Sequence, residues 1–492
     1  MKSDTGIQKK PFRRKFVLAA ITLSLFSIAV FVSILHTQES SPDPASEAVI
    51  RQAAAQILDE DPNELTDEDF ARITQFYLGD RELSDVRFLE KFTNLQELSL
   101  SNLRSPEIEM PKWKAVLIKW HILNPPEKRL LLDISQLKKL SNLQTLKIYN
   151  TPVKNIKHLS GLKNLKEIDI GNSEFAGRIR APNLKSIKRL TNLQILRLQG
   201  IQTFDIKLIK GLKNLQELDI SWTQVANLEP LKEFTNLQKL DINNTQVCDL
   251  EPIKGLVNLQ KLRITSTEVS DLEPIKGLME LKSLYVDNTQ VPNLEQIKGL
   301  ANLQTLSLYL TKITDFEPLR NLTNLRVLSV SNTEFSDLEL LTGLPKLQLL
   351  NISNTRVSDF EPLKRLTSLQ TLILGGKQIT DLEPVKELIN LKRLYLYGTP
   401  QVSNLEPLKE LTSMEVLYLN NTQISDLEPL KKLINLKELY LETTQISDLD
   451  PLKKLANLQR LNIRNCKNIT VKQIDDLKKA LPNTIINEPA LI

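Results

Sequence analysis

The chain repeats itself. Thr422-Gln423-Ile424-Ser425-Asp426-Leu427 returns 22 residues later as Thr444-Gln445-Ile446-Ser447-Asp448-Leu449, and Leu436, Leu439 and Leu441 are answered by Leu458, Leu461 and Ile463. A segment this short cannot bury a core alone, so a period of this length restricts the fold to a stack of units that cover one another. With the first Leu of Leu-x-x-Leu-x-Leu/Ile as position 1, the frame steps back from Leu458 through Leu436, Met414, Leu391, Leu369 and seven further units to Leu193. It then passes Leu165, Leu143, Leu117, Leu95 and Ile73. That makes 18 units, with three intervals longer than 22: 23 after Leu391, 26 after Leu117 and 28 after Leu165. Some early units are disguised. Trp120 takes a Leu slot in the Leu117 unit, and Phe76 takes one in the Ile73 unit.

Within each unit, positions 4 and 6 are two residues apart and point the same way from a strand. Position 1 joins them at the strand's start. Position 9 is Thr in 11 units, where a hydroxyl can satisfy main chain buried in the turn. The return segment of a typical unit reads Asp-Leu-Glu-Pro-Ile-Lys-Gly-Leu, as at 249–256. Asp is a favoured N-cap and Pro suits a first helical turn, so each return segment is expected to be one or two tight turns capped by its Asp. The expectation is an α/β solenoid with a parallel concave sheet and short convex helical turns.

These residues resemble the leucine-rich repeat of the 22-residue class, as in bacterial internalins and the leucine-rich-repeat regulatory subunit of type-1 phosphatase. The resemblance covers 73–463, and it implies a horseshoe that binds other proteins. Family sequences often carry Asn at position 9, where this chain mostly has Thr.

The ends read as caps and an anchor. Residues 46–72 predict a helical N-cap, with Ser46 capping a helix over 47–58 and Thr66 with Asp69 forming a capping box. Residues 464–492 predict a C-terminal cap with a helix from Val471 to Ala480 after Thr470. Phe16–Leu35 is a run of 20 uncharged residues, long enough to span a membrane as a helix. It is longer than the apolar core of a secretory leader, and no small-x-small pair ends it, so it reads as an uncleaved transmembrane signal anchor. Residues 1–15 form a basic tail and 36–45 a linker. The positive-inside rule then puts the N-terminus in the cytoplasm and the repeats outside, in a periplasmic or extracellular, and by its poverty in cysteine bacterial, setting.

Charge excludes a nucleic-acid partner. Of 64 Lys/Arg and 59 Asp/Glu, residues 1–15 hold six and one, which leaves 58 of each in the remainder. Cys248 and Cys466 lie ten units apart, on the order of 45 Å at the strand spacing, and cannot pair with each other. Cys466 occupies an inward position-9 slot. His36, His121 and His158 belong to no metal or nucleophile motif, and Asp and Glu recur at fixed positions of the unit, so no enzyme activity, cofactor or metal is expected.

Positions 3, 5 and 7 face the concave side and need no particular residue to fold. All eight tyrosines of the chain sit at position 5 or 7. Tyr395, Tyr418 and Tyr440 take position 5 of consecutive units beside Tyr397, with Arg393, Val416, Glu438 and Glu442 around them and Ile373 and Leu349 continuing an apolar track. Strand propensity alone explains why tyrosines avoid the return segments, but not their crowding. Aromatics with Arg on a concave sheet suit a protein hot spot, or stacking on a glycan. Glu167, Asp169, Glu217, Asp219 and Asp241 form an acidic zone that meets Lys239, Lys261 and Arg263, read as a ladder of ion pairs. Trp222, at position 8, is a candidate rim anchor. Segments 101–116, 123–142 and 172–190, the last with Arg178 and Arg180, exceed the repeat and carry no assigned role.

Overall fold

The structure, a computed structural model, describes residues 42–103, 131–172, 184–201 and 204–489. The expected membrane span at 16–35, most of the linker, the Leu117 unit and the loop bearing Arg178 and Arg180 lie outside them. Among the described residues no helix is long and apolar enough to cross a membrane.

Among the described residues one parallel sheet of 18 strands runs from Gln75–Tyr77 to Ile485–Asn487. Each strand pairs with the next rung in register, so Tyr418 faces Tyr395 on one side and Tyr440 on the other. At roughly 4.8 Å per strand the stack extends about 80 Å. The apolar residues at positions 1, 4 and 6 are buried along the stack, as at Leu436, Leu439 and Leu441. Each return segment is a 3₁₀ turn of three to six residues, such as Glu251–Ile253 or Glu428–Lys432. A second, two-stranded sheet pairs Leu132–Asp133 with Val153–Lys154.

One detail of the unit differs from expectation. In most units the repeated Asp is not the N-cap itself, Asp205 and Asp337 excepted. It sits one residue earlier, and its carboxylate accepts the N–H two residues on: Asp249 Oδ1 takes Glu251 N–H at 2.8 Å, and Asp426 and Asp448 do the same for Glu428 and Asp450. This is an Asx turn, which leaves Leu250, Leu427 and Leu449 at the cap. Strand Glu97–Ser99 pairs with Thr145–Lys147, and the Leu117-Trp120-Ile122 unit expected between them lies outside the described residues. Among the described residues the sheet holds 17 repeat strands, and its eighteenth comes from the C-terminal cap.

Position 8 is left-handed in nearly every rung, with φ between +51° and +60° at Asn288, Asn354, Asn244 and Asn421, and +75° at Gly200. Asn and Gly tolerate that conformation better than other residues, which explains their frequency there. At position 9 the Thr hydroxyl donates to the carbonyl three residues back, as Thr422 does to Leu419 at 2.7 Å and Thr444 to Leu441 at 2.8 Å. Cys466 fills the same slot and donates to Leu441 O at 3.1 Å. Thr399 departs from the pattern: it is fully buried, and its hydroxyl has no hydrogen-bond partner among the described residues. Thr422→Val is therefore expected to cost about 1 kcal/mol in chemical unfolding, whereas Thr399→Val should be neutral or stabilising. Equal losses at both positions would show that Thr399 does find a partner. An asparagine just before position 1 adds a second ladder, its amide reaching the preceding rung, as Asn435 does to Thr412 O at 2.9 Å and Asn457 to Ile434 O at 2.8 Å.

The caps hold the ends. The first helix runs Pro44–Leu58, and its N-cap is Asp43, not Ser46. Ser46 is buried and its Oγ accepts Ser84 N–H at 3.1 Å, which ties the helix to the first rung. Thr66 and Asp69 form the expected capping box for Asp67–Arg72, and Thr470 with Gln473 forms another for Val471–Ala480.

Candidate functional site: the concave face

The pairing register fixes which concave side chains are neighbours. Along position 5 the C-terminal rungs present Asn351, Ile373, Tyr395, Tyr418, Tyr440 and Asn462 in one row. Position 3 presents Leu349, Thr371, Arg393, Val416, Glu438 and Arg460 in the next. Leu349 thus belongs to the arginine row and does not continue the tyrosine track, whereas Ile373 does.

Strands Thr371–Gly375 and Arg393–Tyr397 have five residues where most rungs have three. They widen the sheet under the tyrosines. Gly375 pairs with Tyr397, and a Cβ there would stand 2.7 Å from Ser353 Cβ and 3.0 Å from Tyr397 O. Only glycine fits at that distance.

The four rings form one cluster. Tyr418 and Tyr440 stack at 4.0 Å and 23°, Tyr395 and Tyr397 at 6.2 Å and 10°, and Tyr418 lies 5.7 Å from Tyr395 and 6.0 Å from Tyr397. Tyr397 is 47% exposed and the others are half-buried. The Tyr440 hydroxyl donates to Glu438 Oε2 at 2.7 Å, and that bond raises its phenol above the usual range. Burial, followed by the Glu438 charge, raises Tyr418 as well. Both phenols therefore stay protonated at neutral pH, the Tyr440 proton being held by Glu438. On the rim where these strands begin, Ile389 and Ile434 are exposed on the same rungs as Tyr395 and Tyr440.

The acidic zone is present but is governed by a residue that the repeat pattern does not single out. Arg197 reaches Glu167 at 2.6 Å with Nη1 and Glu217 at 2.7 Å with Nη2 and 2.9 Å with Nε. Lys239 adds a bond to Glu217 at 3.1 Å. Burial opposes ionisation of Glu217, but Arg197 and Lys239 outweigh it and hold its carboxyl below the usual range. Arg197 lies at position 5 between Asp169 and Asp219, and it was hidden by the 28-residue interval before its unit. Further along, Arg263 stands 3.5 Å from Asp241 and 4.6 Å from the Tyr285 ring centre.

Asp241 is less well compensated. Burial, then repulsion from Asp219, pushes its carboxyl up to about 6. Its folded value lies above the ordinary carboxylate one, so its contribution is favourable at low pH and is lost as pH rises through about 6. Asp241→Asn is expected to stabilise the protein by about 1–3 kcal/mol at neutral pH and to make no difference below about pH 4. Urea unfolding of both chains at the two pH values checks this. Destabilisation at neutral pH would show that the Arg263 pair dominates.

The structure does not bring Trp222 to the tyrosines. It lies eight rungs away, about 38 Å at the strand spacing. It is exposed and holds φ +60°, a conformation that costs an ordinary side chain about 1–2 kcal/mol. Trp222→Asn is accordingly expected to raise stability by about 0.5–1 kcal/mol in thermal or urea unfolding. A loss would mean that the indole packs on its rung.

Among the described residues no group of His, Cys, Asp and Glu is placed to hold a metal ion. Cys248 is exposed and Cys466 is buried.

The signature of leucine-rich repeats matches residues 213–255, 301–341, 323–365, 367–410 and 412–454. No curated relative matches the chain. Among solved structures, a leucine-rich-repeat protein of Leptospira interrogans is similar at 24% identity with a TM-score of 0.54, covering 76% of this chain and 98% of that one. An internalin (InlF) of Listeria monocytogenes is similar at 22% identity with a TM-score of 0.42, covering 86% of this chain and 98% of that one. A plant peptide hormone receptor, solved with its peptide, is similar at 17% identity with a TM-score of 0.44, covering 80% and 77%. At these identities the likeness concerns the fold.

Proposed function

We propose, from the premise that the chain is a leucine-rich-repeat protein, that it is a membrane-anchored, non-catalytic recognition module that holds a partner protein on its concave face. Adhesion or scaffolding in a bacterial envelope is the role this suits. The observation that carries the reading is the cluster of Tyr395, Tyr397, Tyr418 and Tyr440, which begins on the widest part of the sheet. Preformed rings lose little conformational freedom on binding and offer a large apolar area with hydroxyls at its edge. Arg393, on the same strand as Tyr395 and Tyr397, adjoins the cluster.

A glycan would need open ring faces on which to stack. Tyr418 and Tyr440 turn faces toward each other at 4.0 Å, which favours a protein contact along ring edges and hydroxyls.

The anchored orientation separates this reading from that of a cytosolic subunit regulating an enzyme such as a phosphatase. Cys248, the exposed one of the two cysteines, is a built-in reporter. Intact cells expressing the full chain are treated with a membrane-impermeant maleimide. Labelling without lysis supports repeats outside the membrane, whereas labelling only after lysis places them in the cytosol and favours the regulatory subunit. Binding is tested by retention of envelope proteins on the immobilised full chain and on its Tyr395→Ala/Tyr418→Ala/Tyr440→Ala variant, after circular dichroism shows equal folding. A protein kept by the first and lost by the second supports the concave site. Equal retention contradicts it.

A further inference from the structure

The tyrosine row does not end at Tyr440. One side of that ring stacks on Tyr418, and the ring also lines a cavity of about 290 Å³ with Arg460, Leu461, Asn462, Ile485 and Asn487. The cavity exists because the C-terminal cap contributes a strand. Ile485 pairs with Arg460 and Asn487 with Asn462, which sets Ile485, 64% exposed, beside the arginine.

Charge changes along the face. Arg197, Lys239 and Arg263 are each ion-paired on the concave side. Arg393, Arg460 and Arg464 have no ion-pair partner among the described residues. Glu438, which stands opposite Arg460, is engaged by the Tyr440 hydroxyl, and Glu442 accepts the Asn462 amide at 3.2 Å. Beyond Glu442 the concave positions carry Arg460 and Arg464 and no carboxylate. Unpaired arginines on a concave sheet favour an anionic partner, because desolvation there strengthens a bidentate bond to carboxylate.

On the basis of the concave-face reading, we propose that this cavity is the specificity pocket of the interface, and that it receives one aromatic side chain of a partner-protein loop whose flanking residues are acidic. The ring enters between Tyr440 and Ile485, Asn462 and Asn487 supply amides at its edge, and Arg460 and Arg464 pair with the flanking carboxylates. A volume near 290 Å³ holds one large side chain and excludes a second.

The test uses the full chain and a displayed library of random short peptides, selected at low salt. Recovered peptides are expected to carry an aromatic residue between Asp or Glu residues. Their binding should fall about tenfold in Arg460→Gln/Arg464→Gln, by a similar factor in Ile485→Asp, and again at high salt. Three results overturn the pocket: peptides without acidic enrichment, no peptides at all, or binding unchanged in both variants. If binding survives those variants but is lost in Tyr395→Ala, the pocket assignment fails while the concave-face reading stands. If Tyr395→Ala is also without effect, both fail.

Discussion

Tyr418→Ala is expected to weaken partner binding about tenfold to a hundredfold while leaving the unfolding midpoint nearly unchanged. Tyr418 is the hub of the cluster, with ring contacts to Tyr395, Tyr397 and Tyr440. Removing it opens a gap between the remaining rings and leaves Tyr440 without its stacking partner. The cost to folding is small because the side chain lies on the sheet surface, where a cross-strand aromatic pair contributes roughly 0.2–1 kcal/mol. Tyr418→Phe should keep most of the affinity if ring packing dominates. Titration of each variant by calorimetry or surface plasmon resonance checks the sequence wild type, Phe, Ala. A stability loss as large as the binding loss would recast the cluster as sheet packing.

Arg197→Ala acts on stability instead. It strips both Glu167 and Glu217 of their guanidinium in a part-buried network, and a cost of about 2–4 kcal/mol at neutral pH is expected. Arg197→Lys should recover only part of that, since a lone ammonium cannot reproduce the two-pronged bond to Glu217. The pH dependence has a definite sign. Arg197 holds the Glu217 carboxyl below its ordinary value, so the stabilisation is present above about pH 4.5 and is lost as pH falls. The deficit of the Ala variant should therefore shrink on acidification. Urea unfolding at neutral pH and near pH 4 measures it, and a deficit that does not change with pH would mean that Arg197 acts by packing its aliphatic stem.

The two substitutions separate what the sequence made legible from what it concealed. Leucine at positions 1, 4 and 6 dictated both the solenoid and its register, because burial on one side of a strand tolerates no slip. The register in turn placed Tyr395, Tyr418 and Tyr440 in one row from the repeat alone. The pairing across the 28-residue interval was not legible in the same way. Arg197 sits between Asp169 and Asp219 only once the 28-residue unit is closed. The cap strand Ile485–Asn487 was missed because three residues, Ile-Ile-Asn, carry no alternation to read. With it went the cavity beside Tyr440. Asn at position 8 is a visible habit of the repeat, but its cause is a backbone angle, and only that angle marks Trp222 as strained.

The most direct measurement of the central claim is site-specific photo-crosslinking. A photoreactive amino acid is placed at Tyr397, the most exposed ring of the cluster, and in a second chain at Lys276, just after the convex 3₁₀ turn Glu273–Ile275. The same partner protein should crosslink to the Tyr397 probe and not to the Lys276 probe. Crosslinking of that partner from the convex probe, with none from the concave one, would contradict the account.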